Sequence, residues 1–191
     1  MSAPQVDPAL ADMMDAVFAE HGRDTDLWDR LDALGLVRLT GPEESGGSGA
    51  GWYEAAELVS AAVRHGVRIP LAEHDLLACW LLDAAGLPSD AATRTVCMLD
   101  ADGRAPGVPW ASAAKRIVTV WQRDGDHFVA DAADLSITPG ANMIGEPRDT
   151  VSADAATLSG TPVAAELVTQ LKLKAALLRA IQICAALDRA L

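Results

Sequence analysis

Between Trp28 and Leu58, two amphipathic segments must meet through a stretch that can continue neither of them. The first stops at Gly35 and is followed by a short apolar run, Leu36-Val37-Arg38-Leu39. Then comes Gly41-Pro42-Glu43-Glu44-Ser45-Gly46-Gly47, where proline removes a backbone donor and the glycines admit positive φ and close approach. Gly49 and Gly51 lead into the second segment. The chain therefore turns a corner here, and its flanks are predicted to pack as a helix–loop–helix. An apolar run, a glycine-rich loop and a helix in that order also describe a phosphate cradle. The spacing argues against it. Gly47, Gly49 and Gly51 do not make G-x-G-x-x-G, no Lys-Ser or Lys-Thr pair follows, and Glu43 and Glu44 would repel a phosphate.

Composition narrows the fold class. Hydrophobic residues make up 50% of the 191-residue chain, yet many are alanine and aromatics contribute only 4%, which favours close-packed helices over a β-sandwich. A chain of this length is expected to form one or two domains. Against 15 basic residues stand 27 acidic ones, a net charge of −12 with no basic block, so nucleic acid and anionic membranes are poor partners. Cys79, Cys97 and Cys184 are too few and too scattered for a disulfide framework or a zinc site, and read as buried free thiols. The N-terminus has neither a basic n-region nor an apolar h-region, and no uncharged apolar run reaches the roughly 18 residues of a membrane span. A cytoplasmic protein is expected.

Four helices are predicted before residue 90. Asp7-Pro8 opens the first, whose stripe is Leu10, Met13, Met14, Val17 and Phe18, and Gly22 ends it. Asp24 or Thr25 caps the second, with Leu27, Trp28, Leu31 and Leu34 on its face. The third covers Trp52 to His65 and stops at Gly66; the fourth follows Arg68-Ile69-Pro70, from Leu71 to Ala85. His65 and His74 invite a ligand or general-base role. Neither has a second ligand at α-helical spacing, because His74 and Cys79, five residues apart, fall on different faces of an α-helix. Surface or pocket-lining histidines are the expectation.

After Pro88 the pattern changes. Thr95–Leu99, Ile117–Trp121 and His127–Ala130 are β-prone, Asp124-Gly125 is a hairpin signal, and loops follow at 138–140 and 145–148. From Ala164 to Leu191 the pattern is helical again, with leucine, isoleucine and valine around most of the circumference, so this helix needs neighbours on several sides. The expected fold is α+β: an all-α domain over 1–90, a small antiparallel β domain over 91–163, and one long helix over 164–191 opening a helical bundle.

The tryptophan-led helix ending Leu34-Gly35-Leu36, the turn Pro42-Glu43-Glu44-Ser45-Gly46-Gly47 and the helix running towards Arg68-Ile69-Pro70 resemble the N-terminal domain of acyl-CoA dehydrogenases, with Ser45 where an aromatic residue is more usual. The resemblance covers Leu10 to Leu87 well and the remainder loosely. It implies α,β-dehydrogenation of an acyl-CoA thioester, with FAD taking a hydride while a carboxylate removes the α-proton. The family's base is a glutamate beyond the position of Leu191, so no catalytic residue is assigned here, and Glu166 reads as a solvated first-turn glutamate. The family's Thr-Glu-Pro-x-x-Gly-Ser-Asp and Trp-Ile-Thr motifs are absent; Trp121 is followed by Gln122-Arg123 and reads as an aromatic packed on the sheet. Cofactor-binding residues are therefore unassigned. The helix after Pro70 corresponds to one that lines the acyl cavity, which makes Glu73, Leu77 and Ala78 the candidate substrate-binding residues. Glu146 and Arg148 could contact a partner or a nucleotide, or could simply brace a turn.

In some divergent relatives, from bacteria that degrade sterols, two unlike subunits build the flavin sites together. The expected protein is thus a fragment or an incomplete subunit, homo-oligomeric or paired with a related acyl-CoA dehydrogenase subunit. A non-catalytic binding or scaffold protein keeping the fold is the alternative.

Overall fold

A computed structural model describes residues 6–132 and 135–191. Residues 1–5, on which part of the argument against a secretory leader rests, lie outside it. Helix α1 spans Pro8–His21, with the Asp7 carboxylate accepting from the Ala9 N–H at 2.8 Å and Pro8 in the first turn. Helix α2, Leu27–Ala33, begins later than the predicted cap. Asp26 holds the N-cap position without a side-chain cap bond, and its carboxylate is drawn instead to Arg30, 3.0 Å away one turn on. Helix α3 spans Trp52–Arg64. Met14, Phe18, Leu27, Leu31, Leu36, Leu39 and Leu58 close one core among these helices and the turn between them.

That turn folds back on itself. The N–H groups of Ser48, Gly49 and Ala50 donate to the carbonyls of Arg38, Gly41 and Leu39, and a short 3₁₀ turn at Glu43–Ser45 ends on Gly46 with φ +77°. Glu43 and Glu44 point to solvent.

The fourth helix lies where the sequence places it but winds differently. Glu73–Cys79 is a π-helix, entered through Leu71 and Ala72, and α-helical winding resumes over Trp80–Ala84 (α4). All seven residues of the π-helical part are buried.

Among the described residues seven strands follow in two sheets: β1 Arg94–Met98, β2 Arg104–Pro109, β3 Arg116–Arg123, β4 Asp126–Ala132, β5 Ser136–Thr138, β6 Arg148–Ser152 and β7 Thr161–Val163. One sheet runs β1-β3-β4-β7 and the other β2-β6-β5. The pairings are antiparallel except β1 with β3, which is parallel because the β2 excursion crosses to the second sheet before the chain returns. Asp124 and Gly125, with φ of 54° and 92°, form the β3–β4 hairpin turn, closing the Arg123–Asp126 pair. Strand β3 serves two cores by alternation. Val118 and Val120 face the helices, whereas Ile117 and Trp121 face the second sheet.

Helix α5, Ala165–Ala190, is about 39 Å long at 1.5 Å per residue. Val168, Leu171, Leu178 and Ala185 are its buried positions, while Leu173, Leu177, Ile183 and Leu187 remain exposed. Lys174 lies over the rings of Trp52 and Trp80, at 4.7 and 4.4 Å from their centroids, which ties α5 to α3 and α4. Cys79 and Cys97 are buried free thiols, but Cys184 is exposed on α5, against expectation. No helix among the described residues is long and apolar enough to cross a membrane.

The corner turn is closed tightly enough to test. A Cβ on Gly47 would sit 2.0 Å from the Gly41 carbonyl oxygen, a backbone atom that cannot swing aside. Gly47→Ala is expected to cost about 1–3 kcal/mol, read as a lower urea midpoint at unchanged m-value. An unchanged midpoint would show that the turn yields freely.

Candidate active site

Three consecutive side chains of the π-helix point at three different parts of the molecule. Glu73 accepts from Arg179 Nη2 on α5 at 2.7 Å. His74 Nδ1 accepts the backbone N–H of Arg94 on β1 at 3.1 Å, which leaves the proton of a neutral imidazole on Nε2. Asp75 accepts both the N–H and the hydroxyl of Thr40, at 2.9 and 3.0 Å, at the corner turn. Arg38 donates to Asp83 at 2.9 Å and lies 3.9 Å from the second Asp75 oxygen, an electrostatic contact.

His74 corrects the sequence reading twice. It is neither on the surface nor lining a pocket but 99% buried, edge-on to Trp28 with ring centroids 5.2 Å apart. The π-helix also brings residues five apart onto one face, so Cys79 Sγ lies 3.6 and 3.7 Å from the two ring nitrogens. Burial, reinforced by the Arg38 and Arg94 charges, depresses the imidazole to about 3, and burial pushes the Cys79 thiol up to about 11. Both are neutral at physiological pH, so the pair is not a thiolate–imidazolium couple. No group of three or more His, Cys, Asp or Glu among the described residues is placed to hold a metal. His65 is half-buried and bonded to Asp15 at 3.0 Å.

Glu73 and Leu77 line a cavity of about 390 Å³ with Met98, Pro109, Leu171 and Arg179, enclosed by the π-helix, β1, β2 and α5. Ala78 does not line it, being fully buried in the core beneath. Arg179 was not singled out from the sequence. It lies 106 residues from Glu73, and nothing local signals the pairing. A second cavity of about 260 Å³ shares Glu73 and Arg179 and adds Arg68, Ile144 and Arg148. A hollow of about 430 Å³ near Arg94 and Asp131 is larger but open to the outer sheet edge, and its buried arginine is bonded to Asp90 and Asp131.

Neither Trp121 nor the turn after Leu99 offers a surface for a flavin ring. Trp121 is 99% buried between the sheets, stacked on Phe128 at 5.7 Å, and a Cβ on Gly160 would already meet its ring at 2.3 Å. The Asp100 carboxylate takes the N–H groups of Asp102 and Arg104 within its own turn. These residues do not fit a flavin, and no step is placed on them. Glu146 and Arg148 pair at 3.1 Å, with Asn142 bonding Glu146 as well, while Asp149 is buried and accepts from Ser112 and Gly140. They brace the loop. Glu166 is exposed in the first turn of α5.

Residues 5–91 match the sequence family described as the acyl-CoA dehydrogenase N-terminal domain. No curated protein sequence matches the chain. Its fold is that of the acyl-CoA dehydrogenases. The chain superposes on the ChsE4–ChsE5 complex from Mycobacterium tuberculosis with a TM-score of 0.78 at 18% identity, over 99% of this chain and 66% of that one. The Tcur3481–Tcur3483 steroid ACAD gives 0.79 at 19% identity, over 95% and 63%. An acyl-CoA dehydrogenase complexed with FAD from Bacillus anthracis gives 0.64 at 14%, over 93% and 41%. The chain thus spans just under two thirds of the length of the first two. Identities this low establish the fold alone.

Asp75 supplies a test of the buried cluster. Burial raises its pKa from 3.8 to about 6, opposed by the Thr40 donors and the Arg38 charge. The folded state therefore holds this proton more tightly than the unfolded chain, a stabilisation complete below pH 3.8 and lost as pH rises through about 6. Asp75→Asn, uncharged throughout, is expected to gain on the wild type as pH goes from about 4 to about 7, read as the difference in urea midpoint. A difference constant across that range would show that Asp75 ionises as it does in the unfolded chain.

Proposed function

We propose that this chain is the acyl-thioester-holding subunit of an acyl-CoA dehydrogenase, completed by a related subunit. The observation that carries the reading is the cavity of about 390 Å³ between the π-helix and α5, largely apolar on the side of Leu77, Met98 and Leu171. It lies at the lower end of the size range of small-molecule sites. Glu73 and Leu77 are its substrate-contacting residues in this reading, and Ala78 supports them from behind.

The reaction is removal of an α-proton by a carboxylate and of a β-hydride by FAD. Glu73 is a poor candidate for the proton-removing base, because Arg179 already holds it at 2.7 Å. Base and flavin surface are assigned outside these residues, to a longer form of this chain or to the related subunit. A fold shared with structures named as two-component complexes supports a heteromer. So do Leu173, Leu177, Ile183 and Leu187, a run of exposed apolar side chains along α5. The division into 1–90, 91–163 and 164–191 is carried into the proposal as the three functional layers.

The test is calorimetric. The full chain, alone and co-purified with a related subunit, is titrated with octanoyl-CoA. Ala175→Phe is chosen because Ala175 lines the cavity from the half-buried face of α5. It is expected to weaken octanoyl-CoA by about tenfold or more, a loss of roughly 1.4 kcal/mol, while leaving free CoA unaffected. A chain that binds no thioester in either state would refute the reading and favour a scaffold that kept only the fold.

A further inference from the structure

Glu73 and Arg179 belong to the walls of both cavities, and their ion pair stands where the two meet. The Glu73 side chain is only 3% exposed, whereas Arg179 reaches in from α5 with 37% of its side chain accessible. Arg179 Nη2 donates to Glu73 and Nη1 to Gln182. A guanidinium carries five N–H donors, and these two bonds leave the others without a side-chain partner, among the described residues, at the wall the two cavities share. The second cavity adds Arg68, Arg148 and Glu146, so three arginines in its wall face two glutamates. Arg148 is engaged by Glu146 at 3.1 Å. Arg68 donates to the Ile144 carbonyl at 2.9 Å and has no carboxylate partner among the described residues.

This arrangement discriminates between acyl tails. A purely aliphatic chain running from the first cavity towards the second would press methylenes against a charged pair and strip its remaining hydration without replacing it. A chain ending in an anionic oxygen group would meet unused guanidinium donors arranged to receive it, in the strong charge-assisted geometry. The excess of cations in the second cavity selects an anion over a hydroxyl.

We propose that the acyl group taken here carries a second, distal carboxylate. The substrate class is a dicarboxylic acid monothioester, with Arg179 as the specificity-determining residue and Arg68 as the second donor. This rests on the acyl-cavity reading above. The phosphates of the thioester's own CoA share the same anionic chemistry, and the probes separate the two sources.

Octanoyl-CoA, 7-carboxyheptanoyl-CoA and free CoA are titrated into the full chain, alone and with its co-purified subunit. The same titrations are run on Arg179→Lys and on the double variant Glu73→Gln/Arg179→Met, which removes both charges together so that no carboxylate is left buried alone. The carboxylated thioester is expected to bind the wild type at least about tenfold more tightly than octanoyl-CoA. The double variant should abolish that preference, read as the ratio of the two thioester affinities and not as the affinity for octanoyl-CoA itself, and Arg179→Lys should retain part of it. Equal binding of the two thioesters by the wild type overturns the proposal and leaves the acyl cavity standing. A double variant that weakens both thioesters and free CoA alike places a phosphate at Arg179, which also overturns it. Binding of neither thioester removes the cavity reading, and the proposal with it.

Discussion

A polar group taken out of water must find a partner, and Glu73, His74 and Asp75 impose that demand three times in succession. Each is almost fully buried. The partners come from three separate regions: Arg179 on the last helix, the Arg94 N–H on the first strand, and Thr40 with Arg38 on the corner turn. The π-helix is thus the point at which the helical layer, the sheets and α5 are held to one another. Apolar packing alone could tolerate small slippage between these layers. Three buried polar side chains on adjacent residues, each hydrogen-bonded to a different layer, cannot, since losing any one of those bonds strands a desolvated donor or acceptor.

The cavity follows from the same constraint. A π-helix widens the backbone and interrupts the regular ridge that an α-helix would press against its neighbour. Where α5 passes this segment, the long Glu73–Arg179 pair stands beside the apolar core that Leu77 shares with Leu171 and Leu178. Space remains on both sides of it. Further along, Lys174 between Trp52 and Trp80, and Leu171 and Leu178 in the core, seat the helix firmly. The void is therefore held open by its rim.

Sheet geometry fixes what lies on the other side. Strand β3 sends Val118 and Val120 towards the helices and Trp121 the opposite way, so the tryptophan becomes part of the inter-sheet core and is unavailable to a ligand. The crossover through β2 makes the β1–β3 pair parallel and brings Pro109 and Gly107 to the mouth of the cavity. Strands β2, β5, β6 and β7 escaped the sequence reading because their runs are short, three to six residues, and β2 and β7 are also interrupted by proline. Arg104 to Pro109 contains proline, glycine and an irregular register, and Thr161–Val163 is three residues with a central proline.

Local chemistry was enough for the parts that depend on nearest neighbours. The Asp7-Pro8 helix start, the Asp124-Gly125 hairpin, the Pro42 to Gly47 turn and the amphipathic stripes are set by dihedral preference and by periodicity, both written into consecutive residues. The apolar circumference of α5 was visible for the same reason, and so was the α+β order of the chain. What the tertiary structure decided is the winding of the fourth helix and everything that hangs on it. A helical wheel at 3.6 residues per turn places His74 and Cys79 on different faces, and only the wider turn puts them 3.6 Å apart. Nor could spacing reveal that Glu73 meets Arg179, 106 residues away. A pair that distant along the chain is selected by the competition of buried charges for partners, which exists only once the layers have closed.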